Sequence, residues 1–170
     1  MSIRKGAVQW GGNPVDLEGP ELKQGDKAPD FTLTGLDMKP VTLKDTSGKV
    51  RIFASIPSLD TPVCDTETRR FNAEAAQIPG VEIWTVSMDL PFAQKRWCGA
   101  AGIDKVKTVS DYKERTFGKN WGVFEPNRCL LARAVFVVDK NDVVQFAQYV
   151  PSVGSEPDYA AALEAARRCA

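Results

Sequence analysis

Chemistry in this chain is concentrated in thiols. The sequence holds four cysteines, Cys64, Cys98, Cys129 and Cys169, and no histidine. They are widely spaced in a 170-residue chain that needs no disulfide staples, which favours a chemical over a structural role. Without a CxxC pair or an imidazole, zinc binding is disfavoured. The missing histidine also removes the commonest general base, so a nucleophilic cysteine must draw on a helix N-terminus, a hydroxyl and an arginine or lysine. One stretch gathers such groups. Pro57-Ser58-Leu59-Asp60-Thr61-Pro62-Val63-Cys64 joins an apolar run, Val50 to Ile56, to an amphipathic one that starts near Asp65. It reads as a strand, a tight loop and a helix start. Thr61 suits the N-cap, and Pro62 suits the first helical position, where an N–H would go unpaired anyway. Cys64 then lies in the first turn, where free N–H groups and the positive end of the helix dipole favour thiolate over thiol. The competing reading is a buried structural thiol, for which a helix start after Thr-Pro is a poor site.

The remaining elements must position that turn. Ala7 to Trp10 and Val15 to Leu17 alternate about Gly11-Gly12-Asn13-Pro14 and predict a β-hairpin over residues 1–18, appended before the core. Phe31 to Leu33 and Val41 to Leu43 read as short strands. Val50 to Ile56 is the first strong strand. The following helix runs from Asp65 to Ile78, with Phe71, Ala75 and Ile78 inward and Glu67, Arg69, Arg70 and Glu74 toward water, and Pro79-Gly80 ends it. Val81 to Val86 is the next strand. Strand, helix and strand within about 40 residues predict a parallel pair with a right-handed crossover, both strands ending at one edge of the sheet.

Leu90 to Cys98 predicts a helix with Pro91 at its first position and Gly99 or Gly102 at its end, so Cys98 belongs to a segment leaving that same edge. A short strand at Lys107 to Ser110, a helix around Tyr112 to Lys119 and a loop from Asn120 to Arg128 come next. Ala132 to Val138 and Val143 to Val150 form a hairpin about Asp139-Lys140-Asn141-Asp142, and Ser155 to Asp158 opens a last helix with Tyr159, Leu163 and Ala166 on one face. This order predicts an α/β fold, a thioredoxin-like sandwich whose mixed central sheet is flanked by helices and carries an N-terminal β-hairpin, in one domain over residues 1–170.

Composition narrows the partners. Lys+Arg and Asp+Glu balance at 22 each, and no basic stripe with interleaved aromatics appears, which argues against nucleic acid and anionic membrane surfaces. Met1 to Gly12 lacks a signal-peptide core, and no run reaches membrane-spanning length, so the expected location is cytoplasmic.

The loop at Cys64 has the pattern P-x-x-x-T-x-x-C, and with Asp-Leu-Pro-Phe-Ala-Gln at 89–94, Arg-Trp-Cys-Gly at 96–99, Leu131 to Val135 and Glu156 to Tyr159 it resembles the peroxiredoxins, in particular the thiol peroxidase branch of atypical two-cysteine members. The resemblance covers nearly the whole chain. It implies a peroxidase in which Cys64 is the peroxidatic thiolate, Thr61 the hydroxyl facing thiolate and peroxide, Pro57 the shield against water and Arg133 the active-site guanidinium. It further implies Cys98 as the resolving thiol of an intramolecular disulfide, hydrogen peroxide and organic hydroperoxides as substrates, thioredoxin as reductant, a homodimer, and no metal, haem or flavin cofactor.

Plainer readings stand beside these. Arg133 alone reads as a strand-edge residue snorkelling to solvent, with Arg51, Arg69 and Arg70 as rival cations near Cys64 in sequence. Thr61 is an ordinary helix cap and Cys98 a core thiol beside Trp97. Cys129 reads as packing, and Cys169 as exposed near the chain end. Two other functions use comparable thiols: a peroxide sensor that passes oxidation to a protein partner with negligible turnover, and a disulfide oxidoreductase, which expects the CxxC pair this chain lacks.

Overall fold

Gly11 and Gly12 both take positive φ, 59° and 80°, which a two-residue hairpin turn demands and a side chain would resist. They join β1 (Ile3–Trp10) to β2 (Asn13–Glu18) as the alternation predicts. The computed structural model describes residues 1–75 and 77–170, with Ala75 described by its backbone alone. The Ala75 side chain, expected on an inward stripe, therefore lies outside the described residues.

β3 (Thr32–Thr34) and β4 (Pro40–Thr42) follow, and the chain then turns at once into α1 (Leu43–Thr46). Leu43, expected in a strand, instead starts this turn because Thr42 and Asp45 form a capping box. Next come β5 (Val50–Ser55), α2 (Pro62–Ala75), β6 (Val81–Ser87), α3 (Pro91–Ala101) and β7 (Val106–Ser110). α4 (Thr116–Asn120) is shorter than the expected helix from Tyr112. Arg115 sits in the left-handed region at φ 58°, and the Asp111 carboxylate accepts from the N–H groups of Phe117 and Gly118, which fixes the start downstream. The segment expected to be a loop contains β8 (Phe124–Glu125), which pairs with β9 (Leu130–Leu131) and meets β2 through Glu18 and Phe124. β10 (Ala134–Val138), β11 (Val144–Tyr149) and α5 (Tyr159–Cys169) complete the chain.

The large sheet has the order β11-β10-β5-β6-β7-β3-β4, and β1-β2-β8-β9 form a second, smaller one. Every residue of β5 is buried, as a strand covered on both faces requires. Its alternation divides the core. Phe53 joins Phe31, Phe117, Trp121 and Phe136 on one side, whereas Ile52 and Ala54 join Phe71, Val135, Val137 and Leu163 on the other.

Topology then selects one edge. β5, β6 and β7 are parallel, so the segment after β5 and the one before α3 emerge together. β10 runs antiparallel to β5 with Ala134 opposite Ser55, which brings the residue before Ala134 to the same edge. That residue is Arg133.

Candidate active site

Cys64 lies in the first turn of α2 and is completely buried against Ile56 and Leu59, with Trp97 packed beside them. The first-turn N–H groups of Val63 and Cys64 find no protein acceptor among the described residues, as expected of a helix start. Thr61 occupies the cap position in its backbone, since its carbonyl accepts from Asp65 N–H at 3.0 Å. Its hydroxyl does not cap the helix. It donates to the Ser58 carbonyl at 3.0 Å, which leaves the oxygen's lone pairs free and turns the group toward the loop.

Arg133 is the cation that reaches the sulfur. It is 1% exposed, so the snorkelling reading fails, and its Nη2 donates to Cys64 Sγ at 3.1 Å. Nε donates to the Val153 carbonyl at 3.0 Å, and Nη1 bonds the Glu67 carboxylate, so three partners fix one planar fork. The rivals are engaged elsewhere. Arg51 pairs with Asp142 at 2.7 Å, Arg69 with Asp65 at 2.8 Å, and the Arg70 guanidinium lies 4.1 Å from the Tyr159 ring centroid.

Glu67 corrects the helical pattern. Expected to face water, it is fully buried, because residues 64, 67, 68 and 71 are spaced i, i+3, i+4, i+7 and form the inward stripe of α2. That spacing was the available signal, but a carboxylate on it reads as an outward charge until its arginine is known. Burial pushes Glu67 up to about 7 against the pull of Arg133. The guanidinium itself is held charged by Glu67 and Cys64.

The loop is pinned from the segment just after β6. Asp89 accepts from Ser58 Oγ at 2.7 Å, Leu59 N–H at 2.9 Å and Ser87 Oγ at 2.8 Å, a role with no signature in the sequence. A pocket of about 340 Å³ opens over the site. Pro57, Thr61, Pro62 and Val63 line one side, Trp10 and Gly11 at the hairpin tip another, and Arg133, Val153 and Gly154 the rest. Arg133 belongs both to this wall and to the sulfur contact. The pocket thus presents a fixed guanidinium that bonds a buried thiol behind it.

Cys98 is half-buried on α3, and its Sγ lies 3.2 Å from Thr108 Oγ1 on β7; both it and Cys64 are free thiols. The other two cysteines exchange expectations. Cys129 is exposed, at φ 54° in the turn between β8 and β9, whereas Cys169 is half-buried on α5 against the lower core, where burial raises its thiol pKa. Among the described residues no cluster of three or more Cys, Asp or Glu side chains could ligate a metal.

The sequence pattern of the AhpC/TSA family matches residues 24–147. The thiol peroxidase of Halalkalibacterium halodurans is 53% identical over 161 residues, covering 95% of this chain and 97% of that one. The thiol peroxidase of Bacillus subtilis is 50% identical over 160 residues, covering 94% and 96%. Among solved structures, a peroxiredoxin-like protein from Aquifex aeolicus superposes with a TM-score of 0.90 at 40% identity, covering 96% of each chain. The thiol peroxidase of Chromobacterium violaceum, at 20% identity, shares the fold with a TM-score of 0.85 over 92% of this chain and 93% of that one.

Proposed function

The chain belongs to the AhpC/TSA family, and from that premise we propose how its residues carry out thiol-dependent reduction of hydroperoxides. The protein is a thiol peroxidase of the peroxiredoxin type. The observation that carries the residue assignment is the 3.1 Å bond from Arg133, which lines the pocket bordered by Thr61 and Pro57, to Cys64 Sγ behind it.

Cys64 thiolate attacks the nearer oxygen of the hydroperoxide; the O–O bond breaks, Cys64 becomes a sulfenic acid, and the departing oxygen leaves as an alcohol or water once protonated. Arg133 stabilises both the thiolate and the charge that moves onto oxygen, with a donor already fixed in place by Glu67 and Val153. The Thr61 oxygen and the free N–H groups of the first turn of α2 orient the peroxide. Pro57 limits access to the sulfur. Cys98 thiol then condenses with the sulfenic acid, forming the S–S bond and releasing water. A dithiol of the thioredoxin class regenerates both thiols by exchange, ending as a disulfide itself.

Peroxide consumption coupled to thioredoxin and its reductase tests this assignment. Wild type is expected to turn over, and Cys64→Ser to be inactive. Activity in Cys64→Ser would remove Cys64 as the nucleophile. The sensor reading requires negligible turnover in the same assay, and it is not favoured by relatives that are peroxidases.

A further inference from the structure

Three polar residues at successive turns along one face of α2 grip the segment that carries Cys98. Asp65 Oδ1 accepts from the Trp97 indole N–H at 3.0 Å, the Arg69 guanidinium reaches the Ala101 carbonyl at 3.4 Å, and Asn72 Oδ1 accepts from the backbone N–H groups of Asp104 and Lys105 at 3.2 and 2.7 Å. Their spacing, i, i+4, i+7, puts all three on the side of α2 that faces α3. The first grip differs from the others in two ways. Asp65 directly follows Cys64 and Trp97 directly precedes Cys98, so one hydrogen bond ties together the neighbours of both thiols. Its acceptor is also a carboxylate already oriented by Arg69 at 2.8 Å, and the same guanidinium lies 5.6 Å from the Trp97 ring centroid. Arg69, Asp65 and Trp97 therefore form a closed triangle.

From this geometry we infer that the Trp97–Asp65 hydrogen bond is the latch on the resolving step, setting how often the Cys98 segment opens and so how sulfenic Cys64 divides between two fates. The inference rests on the assignment of Cys64 and Cys98 above. In one fate Cys98 thiol attacks the sulfenic sulfur, giving a disulfide and water. In the other a second hydroperoxide oxidises the sulfenic sulfur to sulfinic acid, and the peroxide is reduced to alcohol or water. Cys98 Sγ is occupied by Thr108, and the Cys98 carbonyl accepts from the N–H groups of Gly102 and Ile103, so this turn cannot approach Cys64 without leaving its place in α3. Overoxidation needs no such departure. Trp97 and Asp65 are thus positioning residues whose bond, while intact, favours the second fate.

Trp97→Phe removes the donor and keeps an aromatic ring in the gap. Losing one hydrogen bond to a charged acceptor is expected to populate opening about tenfold more. The decisive quantity is the ratio of disulfide to sulfinic acid formed from pre-made sulfenic enzyme at a fixed hydrogen peroxide concentration, read by intact mass, because it does not depend on the speed of the first oxidation. It should rise about tenfold in Trp97→Phe. Asp65→Asn, which keeps an acceptor but discards the charge and the Arg69 pair, should give a smaller rise, and it tests the same bond if Trp97→Phe fails to fold. Cys98→Ser is run alongside. If Cys98→Ser forms no disulfide with Cys64 while the latch variants keep the wild-type ratio, the latch is wrong and the thiol assignment stands. If Cys98→Ser still turns over with thioredoxin, both fall.

Discussion

Arg133 serves two partners with one charge. The guanidinium is almost wholly buried and bonds both Cys64 and Glu67, so charge drawn toward Glu67 is not available to the sulfur. Replacing it by methionine keeps volume and removes the charge and the donors, and loss of one such donor costs about 100- to 1,000-fold in rate. Stopped-flow reaction of Arg133→Met with hydrogen peroxide should show that loss, while Arg70→Met, which strips only a cation from the Tyr159 ring, should stay within about threefold of wild type. Equal rates in the two variants would mean that the wrong cation has been chosen. Glu67 acts in the opposite sense. With its carboxyl pushed up to about 7 it is mostly neutral one unit lower and mostly charged one unit higher. Glu67→Gln imitates the neutral form. It should react with peroxide like wild type at about pH 6 and severalfold faster at about pH 8, where the native carboxylate draws on Arg133. A deficit at both pH values would make Glu67 a support for the guanidinium and not a brake. The same shift links to stability. Because the folded-state value lies above the ordinary 4.5, the Glu67 contribution is fully present below about 4.5 and is lost as pH rises through about 7.

At the scale of elements, the hairpin does more than extend the chain. Gln9 N–H donates to the Pro151 carbonyl at 2.7 Å, and Val153 N–H donates to the Gln9 carbonyl at 2.9 Å, so β1 is stitched to the segment whose Val153 carbonyl holds Arg133. The same strand ends in Trp10, a wall of the pocket, with the Arg128 guanidinium 4.9 Å from its ring centroid. Trp10→Ala should therefore lower kcat/KM for a bulky aromatic hydroperoxide by about tenfold, the size of one lost apolar contact, and change that for hydrogen peroxide by less than about threefold. Equal losses on both substrates would assign Trp10 to support of Arg133 and not to recognition. How far such elements can be read in advance follows from how local their causes are. The strand, loop and helix start around Cys64 were legible because a proline, a cap and an apolar run sit side by side in sequence. Arg133 was not, except through resemblance, since its place depends on β10 lying antiparallel to β5. β8 and β9 have two residues each, too few for a period, and exist by virtue of partners more than 100 positions away at Glu18 or next to each other across a turn. Thr61 shows a third kind of gap, where the right residue at a cap position spends its hydroxyl elsewhere.

Across the whole molecule, the site is assembled from residues far apart in the chain. Sulfur and loop come from residues 57–64, the guanidinium from 133, the carbonyl that aims it from 153, and the stitch behind that carbonyl from residue 9. Synthesis delivers these parts in an unhelpful order. Cys64 leaves the ribosome while Arg133 and Val153 are still to be made, and chains fold as their segments emerge. On the assignment proposed above, a nascent chain would carry Cys64 as an ordinary thiol until Arg133 and Val153 have been added. The expectation is that ribosome-bound chains exposing only residues 1–150 form Cys64 sulfenic acid at the rate of a free cysteine, and that those exposing residues 1–170 react at the rate of the released enzyme. Fast oxidation of the shorter chain would show that the sulfur is armed by the loop and α2 alone. If the expectation holds, the late carbonyl at Val153 works as a safety catch, timed by translation itself.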